Sequence, residues 1–397
     1  MGNGILSEMV RQELETYTEE LYGFRRDLHR YPEPSGKEEI TSAKIKEKLE
    51  SYGYDVRIIG GTGLYTELKG IKEGPVIILR ADIDALPIEE KSSYPYPSEH
   101  KGFMHACGHD VHTTALLGAA RFLSAHRDSL AGTVRFVFQN AEEQGHGSKY
   151  FLAERVTDGA ERVYGFHVSP HVRLGNILIT EGADLASCDS MKIRLYGKSS
   201  HIARPHLGND VSVCAADIVI HLRALAGGLD PLTPALIGIG RISSGTGWNI
   251  ISDYGEIEGT VRTFSVEQRE MLIRSVEEVI NRVSTLYGVR AETEFELNAG
   301  CLINDAGAYA TAYQASADTV GEAGVTVKHT PFGFTADDFS EFSKEVPGCF
   351  IHVGIAIDDR EDTKVSLHSP DLYITDEAVT IGSELLIRCA LEHLETK

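Results

Sequence analysis

Side chains able to bind a transition metal fall in four short stretches far apart along the chain: Cys107 and His109, the pair Glu142-Glu143, His167, and His368. A fold that uses them together has to gather four distant segments at one place. Apolar β-type runs lead into these stretches, most plainly Thr133-Val-Arg-Phe-Val-Phe138 before the glutamates and Arg162-Val-Tyr-Gly-Phe166 before His167. An open α/β sheet meets that demand, because its crevice lies beyond the carboxyl ends of the strands and collects residues from many segments.

The rest of the pattern agrees. Amphipathic helices are predicted over Ser7–Leu28 and Glu39–Ser51, and the continuous apolar run from Pro75 to Arg80 suits a strand covered on both faces. A helix is predicted from Asp110, read as its N-cap, to Ala125. This is the βαβ rhythm of a mainly parallel sheet. The middle of the chain changes rhythm: strand 191–196, helix 210–225, strands 236–242 and 256–263, helix 266–287 and strand 291–297. That β-α-β-β-α-β order predicts an inserted ferredoxin-like α+β domain over 185–298. The remainder, 1–184 and 299–397, is then a discontinuous catalytic domain, whose last part holds a helix over 306–321, a strand over 349–353 and a closing helix over 376–394.

Composition narrows the function. With 59 Asp+Glu against 38 Lys+Arg the net charge is −21, which repels a phosphate backbone, so no nucleic-acid partner and no anionic membrane surface is expected. No apolar run approaches the roughly 20 residues of a bilayer span. The amino terminus lacks a basic segment followed by an apolar one, and Leu6 fills the position where myristoylation needs Ser or Thr, so a cytoplasmic location is expected. Six cysteines at 107, 188, 214, 301, 349 and 389 show no CxxC spacing and imply neither a disulfide framework nor a zinc ribbon.

Each stretch has a bland reading. Cys107 is also what a buried thiol looks like, Glu142-Glu143 what a solvated pair looks like, and His167 or His368 what a packed core histidine looks like. The set is more telling than its members. One thiolate, three imidazoles and a carboxylate have the count and type for two transition ions sharing a ligand, and a second carboxylate next door can take a proton from an activated water. Asp110 is placed to orient a ring N–H from behind the ligands. No G-x-S-x-G elbow, Walker A loop or G-x-G-x-x-G after a strand offers a competing chemistry. The residues point to a two-metal hydrolase.

Leu79-Arg-Ala-Asp-Ile-Asp-Ala-Leu-Pro87, Met104-His-Ala-Cys-Gly-His-Asp110, Ala141-Glu-Glu143, Gly245-Thr-Gly-Trp-Asn249, Gly259-Thr-Val-Arg-Thr263 and Leu367-His-Ser-Pro370 resemble the M20 metallopeptidase family, in its branch of amidohydrolases acting on N-acyl amino acids. The resemblance runs from Arg25 to the final helix. It implies that Cys107 bridges two divalent ions, with His109 and His167 on one and Glu143 and His368 on the other; by donor softness thiolate and imidazole favour zinc, cobalt or nickel, and the carboxylate leaves manganese open. It implies Glu142 as general base and His201 of the inserted domain as the group that stabilises the oxyanion, often across a dimer, so a homodimer or homo-oligomer is expected. Asn249 matches a position near the substrate carboxylate, and Arg262 is a further carboxylate partner by its chemistry, although a structural salt bridge within a strand suits it better.

Some positions depart from the family pattern. Asn140 replaces a proline, Ser199-Ser200 replaces Gly-Gly before His201, Arg204 replaces a small residue, and Ala336-Asp-Asp-Phe339 replaces Gly-Glu-Asp-Phe. These bear on which N-acyl amino acid is taken rather than on whether hydrolysis occurs. A dipeptidase or an N-carbamoyl amino acid hydrolase is the competing reading, and other branches with an aspartate in place of Cys107 weigh against it. A silent metal-binding or ligand-sensing protein would have no need of Glu142.

Overall fold

The computed structural model describes residues 3–395. The chain divides into two compact units: Met1–Gly182, Ile303–Thr330 and Asp338–Lys397 form the first, Ala183–Leu302 with Pro331–Asp337 the second.

The first unit opens with α1 (Asn3–Arg30) and α2 (Glu39–Ser51), then β1 (Arg57–Ile59), β2 (Gly63–Lys69) and β3 (Lys72–Asp82). α3 (His109–Ala125), β4 (Ala131–Gln139), α4 (Gly147–Ala153), β5 (Arg162–Arg173) and β6 (Ile177–Thr180) follow. Next come β7 (Ala183–Leu185), β8 (Cys188–Tyr196), β9 (Ser200–His201), α5 (Val211–Gly227), β10 (Leu236–Ser244), β11 (Ile250–Ile251), β12 (Tyr254–Arg262), α6 (Val266–Leu286) and β13 (Arg290–Ala299). The chain closes with β14 (Leu302–Ile303), α7 (Ala306–Val320), β15 (Val325–Lys328), α8 (Phe339–Glu345), β16 (Gly348–Ala356) and α9 (Glu377–Glu395).

An eight-stranded sheet in the order β1-β2-β4-β3-β5-β16-β6-β15 organises the first unit. Its centre, β4-β3-β5-β16, is parallel throughout. Antiparallel pairs lie to either side, β1-β2-β4 and β16-β6. The fold is therefore mixed α/β with a large, mainly parallel sheet. Central parallel strands are covered on both faces, which is why Ile77-Ile-Leu79 and nearly all of β16 are buried apolar runs with no polar alternation. Helix α3 packs against α1 and α9 as well as the sheet, so it is buried almost all round, and its small residues Ala115, Gly118, Ala119 and Ala120 permit that.

Four strands in the order β10-β12-β8-β13, all antiparallel, build the second unit with α5 and α6. β8 alternates half-buried and buried positions along its length, as a strand with one covered face must. Met191, Ile193, Leu195, Ile218, Ile257, Leu272 and Ile280 form its core. Asp210 and Ser265 cap α5 and α6 by accepting N–H bonds from Ser212, Val213 and Gln268.

Residues 331–337, expected with the first domain, sit with the second unit instead. Backbone bonds hold them there, Phe332 N–H to Asp184 O and Ala186 N–H to Thr335 O, together with Arg262 donating to Phe334 O at 2.8 Å. Among the described residues no helix is long and apolar enough to cross a membrane. All six cysteines are free thiols.

Candidate metal centre

The turn into α3 sets the first two ligands. Gly108 occupies the left-handed region at φ 83°, and a Cβ there would lie 2.5 Å from Val168 Cγ2, so only glycine lets Cys107 and His109 flank this turn against β5. Asp110, expected as the N-cap, lies inside the first turn of α3 because the N-cap is Gly108, two residues earlier. It does not orient a ligand imidazole either: its carboxylate accepts from Arg25 Nε at 2.8 Å and from His29 Nδ1 at 2.9 Å.

The orienting carboxylate is Asp84. One oxygen lies 3.2 Å from His109 Nδ1, the other accepts the Glu143 N–H at 3.1 Å and the Ser35 hydroxyl at 2.6 Å. One buried side chain thus ties together two stretches 34 residues apart in the sequence, at 109 and 143. Asp82 plays a parallel part, taking the Nδ1–H of His112 at 2.7 Å while His112 Nε2 accepts the Val168 N–H at 3.0 Å. Val168 O in turn accepts from His167 Nδ1 at 2.7 Å, which leaves His167 Nε2 facing Cys107 Sγ at 3.4 Å. This is the tautomer control that ligand histidines require. Asp82 closes the apolar strand β3 and Asp84 lies just beyond it, a sequence signal for carboxylates at the strand end but not for the side chains they hold.

His167 does not end its strand. β5 continues to Arg173 because β16 keeps pairing beyond His167. His368 follows no strand directly: it sits in a turn at φ 64°, its N–H bonded to Ala106 O at 2.9 Å. A non-glycine residue in that region is strained and is held there by its surroundings. The strain sets its ring 3.3 Å from Cys107 Sγ and 3.3 Å from Glu143 Oε1. Ala141, just before the glutamates, is the second such residue in the site, at φ 53°.

Two of the groups of ligand atoms that lie within 4.8 Å of one another share Cys107: Cys107 with His109 and His167, and Cys107 with Glu143 and His368. Glu142 lies beside the first, its Oε2 4.0 Å from His109 Nε2. His109 Nε2 and Glu143 Oε1 are buried without a hydrogen bond, a state that costs about 1–3 kcal/mol per group when nothing else satisfies it.

Electrostatics points the same way. Burial, then Glu143, Glu142 and Asp82, push the Cys107 thiol well above its usual range. Burial pulls His109 down, but Asp82, Asp84 and Glu143 outweigh it and raise the imidazole to about 10. Burial and the neighbouring His112 hold His167 well below its ordinary value. The pocket carries more negative charge than its own cations balance and offers sulfur, nitrogen and oxygen donors to a common centre. The donor set fits two divalent cations, and Cys107 belongs to both of these ligand groups.

The remaining sequence candidates belong to the second unit. His201 is exposed on β9, and its Nδ1 accepts the Ala203 N–H at 3.0 Å, so the Nε2–H faces outward as a donor. β9 pairs with β11 (His201 with Ile250), and Ile202 N–H bonds Asn249 O at 3.0 Å, so His201 and Asn249 are neighbours. Arg262 spends its guanidinium on a backbone carbonyl, that of Phe334, and not on a carboxylate.

Comparison with known proteins follows the same lines. The chain is 36% identical over 400 residues to N-acetyl-L-cysteine deacetylase of Bacillus subtilis, an alignment covering all of this chain and 94% of that protein. It is 35% identical to a second B. subtilis protein, N-acetylcysteine deacetylase, over 95% of this chain and 97% of the other. Among solved structures it resembles the B. subtilis YXEP protein, a dinuclear metal binding peptidase from the M20 family, with TM-score 0.83 and 33% identity over 96% of this chain and 100% of that one. The model of peptidase family M20/M25/M40 matches residues 78–392, and the chain belongs to that family.

Proposed function

We propose that this protein is a metal-dependent amidohydrolase that cleaves N-acyl, above all N-acetyl, amino acids. The observation that carries the reading is the pair of ligand groups meeting at Cys107 Sγ. The similarity to two deacetylases of N-acetylcysteine along nearly the whole chain supports the acyl class.

Two divalent cations held by Cys107, His109, His167, Glu143 and His368 would supply Lewis acidity for the amide carbonyl and lower the pKa of a water; thiolate and imidazole favour zinc, cobalt or nickel, and the carboxylate admits manganese. Asp84 keeps the His109 Nε2 lone pair turned inward by holding the opposite ring nitrogen. Glu142, beside the ligands and coordinating neither cation in this reading, takes the proton of the attacking water and delivers it to the departing amine nitrogen as the C–N bond breaks. The outward Nε2–H of His201 is the donor for the developing oxyanion, and neighbouring Asn249 holds the substrate carboxylate. Arg262 is structural by this reading, holding the 331–337 segment through Phe334 O.

We assign the second unit, a ferredoxin-like domain, the role of lid and dimerisation module. Its α5 leaves Val213 50% and Ile220 65% exposed on one face, apolar area that a second copy would cover. Six free thiols suit a reducing, cytoplasmic setting.

The test is a parallel assay of the chelated and metal-restored protein on N-acetyl amino acids, dipeptides and N-carbamoyl amino acids. Turnover of the acetyl series that vanishes with the metal and returns with it is expected. Preference for dipeptides or carbamoyl compounds, or activity that survives complete metal removal, would contradict the assignment.

A further inference from the structure

Glu38 stands at the N-cap position of α2 and does no capping. That task falls to Glu33, whose carboxylate accepts from Ile40 N at 3.1 Å and Thr41 N at 2.7 Å. Glu38 is instead turned inward and has no exposed surface. A buried carboxylate is costly unless donors surround it, and here they come from three segments. One oxygen accepts from Gly36 N at 2.8 Å and from Ala141 N at 3.0 Å, the other takes the Thr62 hydroxyl at 2.5 Å.

Ala141 is the left-handed residue that turns the chain from β4 into Glu142-Glu143. Its carbonyl is held as well, by Gly147 N at 3.2 Å. Gly147 can approach so closely only because it lacks a side chain: a Cβ would lie 1.7 Å from Asn140 O. Asn140 joins the same network, donating to Thr62 Oγ1 at 3.1 Å and to Gly60 O at 3.0 Å. The position that departs from the family pattern is therefore built into this clamp.

We infer that Glu38 is a positioning residue for Glu142: its carboxylate clamps the strained Ala141 backbone and thereby sets where the proton-transferring side chain points. The inference rests on the hydrolytic role proposed for Glu142. Glu38 itself touches neither substrate nor ligand atoms. An alanine at 38 leaves the Ala141 N–H without its acceptor and lets an alanine backbone relax toward ordinary φ, while a glutamine keeps an acceptor oxygen in the same place.

Kinetics and metal content of Glu38→Ala and Glu38→Gln test this in the metal-loaded protein. Glu38→Ala is expected to keep two ions per chain and its KM within about threefold, and to lose about 100-fold in kcat, the scale of a misplacement near 1 Å. Glu38→Gln is expected to restore most of the loss. Parent kcat in a folded, metal-loaded Glu38→Ala, or a Glu38→Gln as impaired as the alanine, overturns the inference. Should Glu38→Ala fail to fold, Thr62→Val carries the test by removing the donor on the other oxygen: kcat falls at constant KM, and an unchanged kcat overturns the inference. Amide exchange of the 139–148 segment separates this from failure of the hydrolase reading. Exchange at Ala141 accelerates in the variant whatever the substrate, and unchanged protection contradicts the clamp.

Discussion

Candidate chemistry is presented in two opposite ways by the two units. In the first, Cys107 and His109 are buried and Glu143 nearly so, His368 alone of the ligand candidates is half exposed, and Asp82, Asp84, His112 and two left-handed residues over-determine where their atoms point. In the second, His201 is exposed, and Trp248, beside Asn249, exposes 91% of its surface. Groups that must share a highly charged centre need a rigid, desolvated setting, since a small displacement forfeits the geometry. Groups that meet a substrate need only be presented, and a hydrogen-bond donor such as the His201 Nε2–H gains its strength when water is excluded.

That contrast can be broken from the exposed side first. His201→Ala should lower kcat by about 10²- to 10³-fold, the loss expected for one oxyanion donor, with metal content and melting temperature unchanged because the ring supports no packing. Steady-state kinetics beside thermal unfolding checks it. Parent turnover in the variant would remove His201 from the reaction, and a lowered melting temperature would make it structural.

A smaller effect sharpens the buried side. His29 lies between Asp110 at 2.9 Å and Glu90 at 3.2 Å; burial lowers its pKa, but the two carboxylates outweigh that and raise it. A histidine whose folded pKa lies above its unfolded value of about 6.5 contributes stability that is complete below that pH and is lost as pH rises through the folded value. The stability difference between the metal-free parent and His29→Gln, about 1–3 kcal/mol at pH 6, should therefore shrink on the alkaline side. Urea unfolding from pH 6 to 10 reads it, and a constant difference would mean that His29 contributes by packing alone.

How much of this the sequence discloses follows from what each feature depends on. The ligand stretches and the α/β rhythm are legible because apolar runs and ligand types are local facts. Sequence places the cap of α3 at Asp110 because Asp is a good cap in general, whereas the turn at Gly108 is dictated by the approach of Val168 from β5. Likewise the link from Asp84 to both His109 and Glu143, and from Glu38 to Ala141, joins side chains whose partners are set by sheet order. Residues 331–337 read as part of the returning chain, and only hydrogen bonds to Asp184, Ala186 and Arg262 assign them to the second unit.

Anomalous diffraction from crystals loaded with zinc tests the central claim most directly. The account predicts two peaks per chain with Cys107 Sγ within about 2.3 Å of both, His109 and His167 completing one site and Glu143 and His368 the other. A single peak, or two of which the sulfur touches neither, would contradict it.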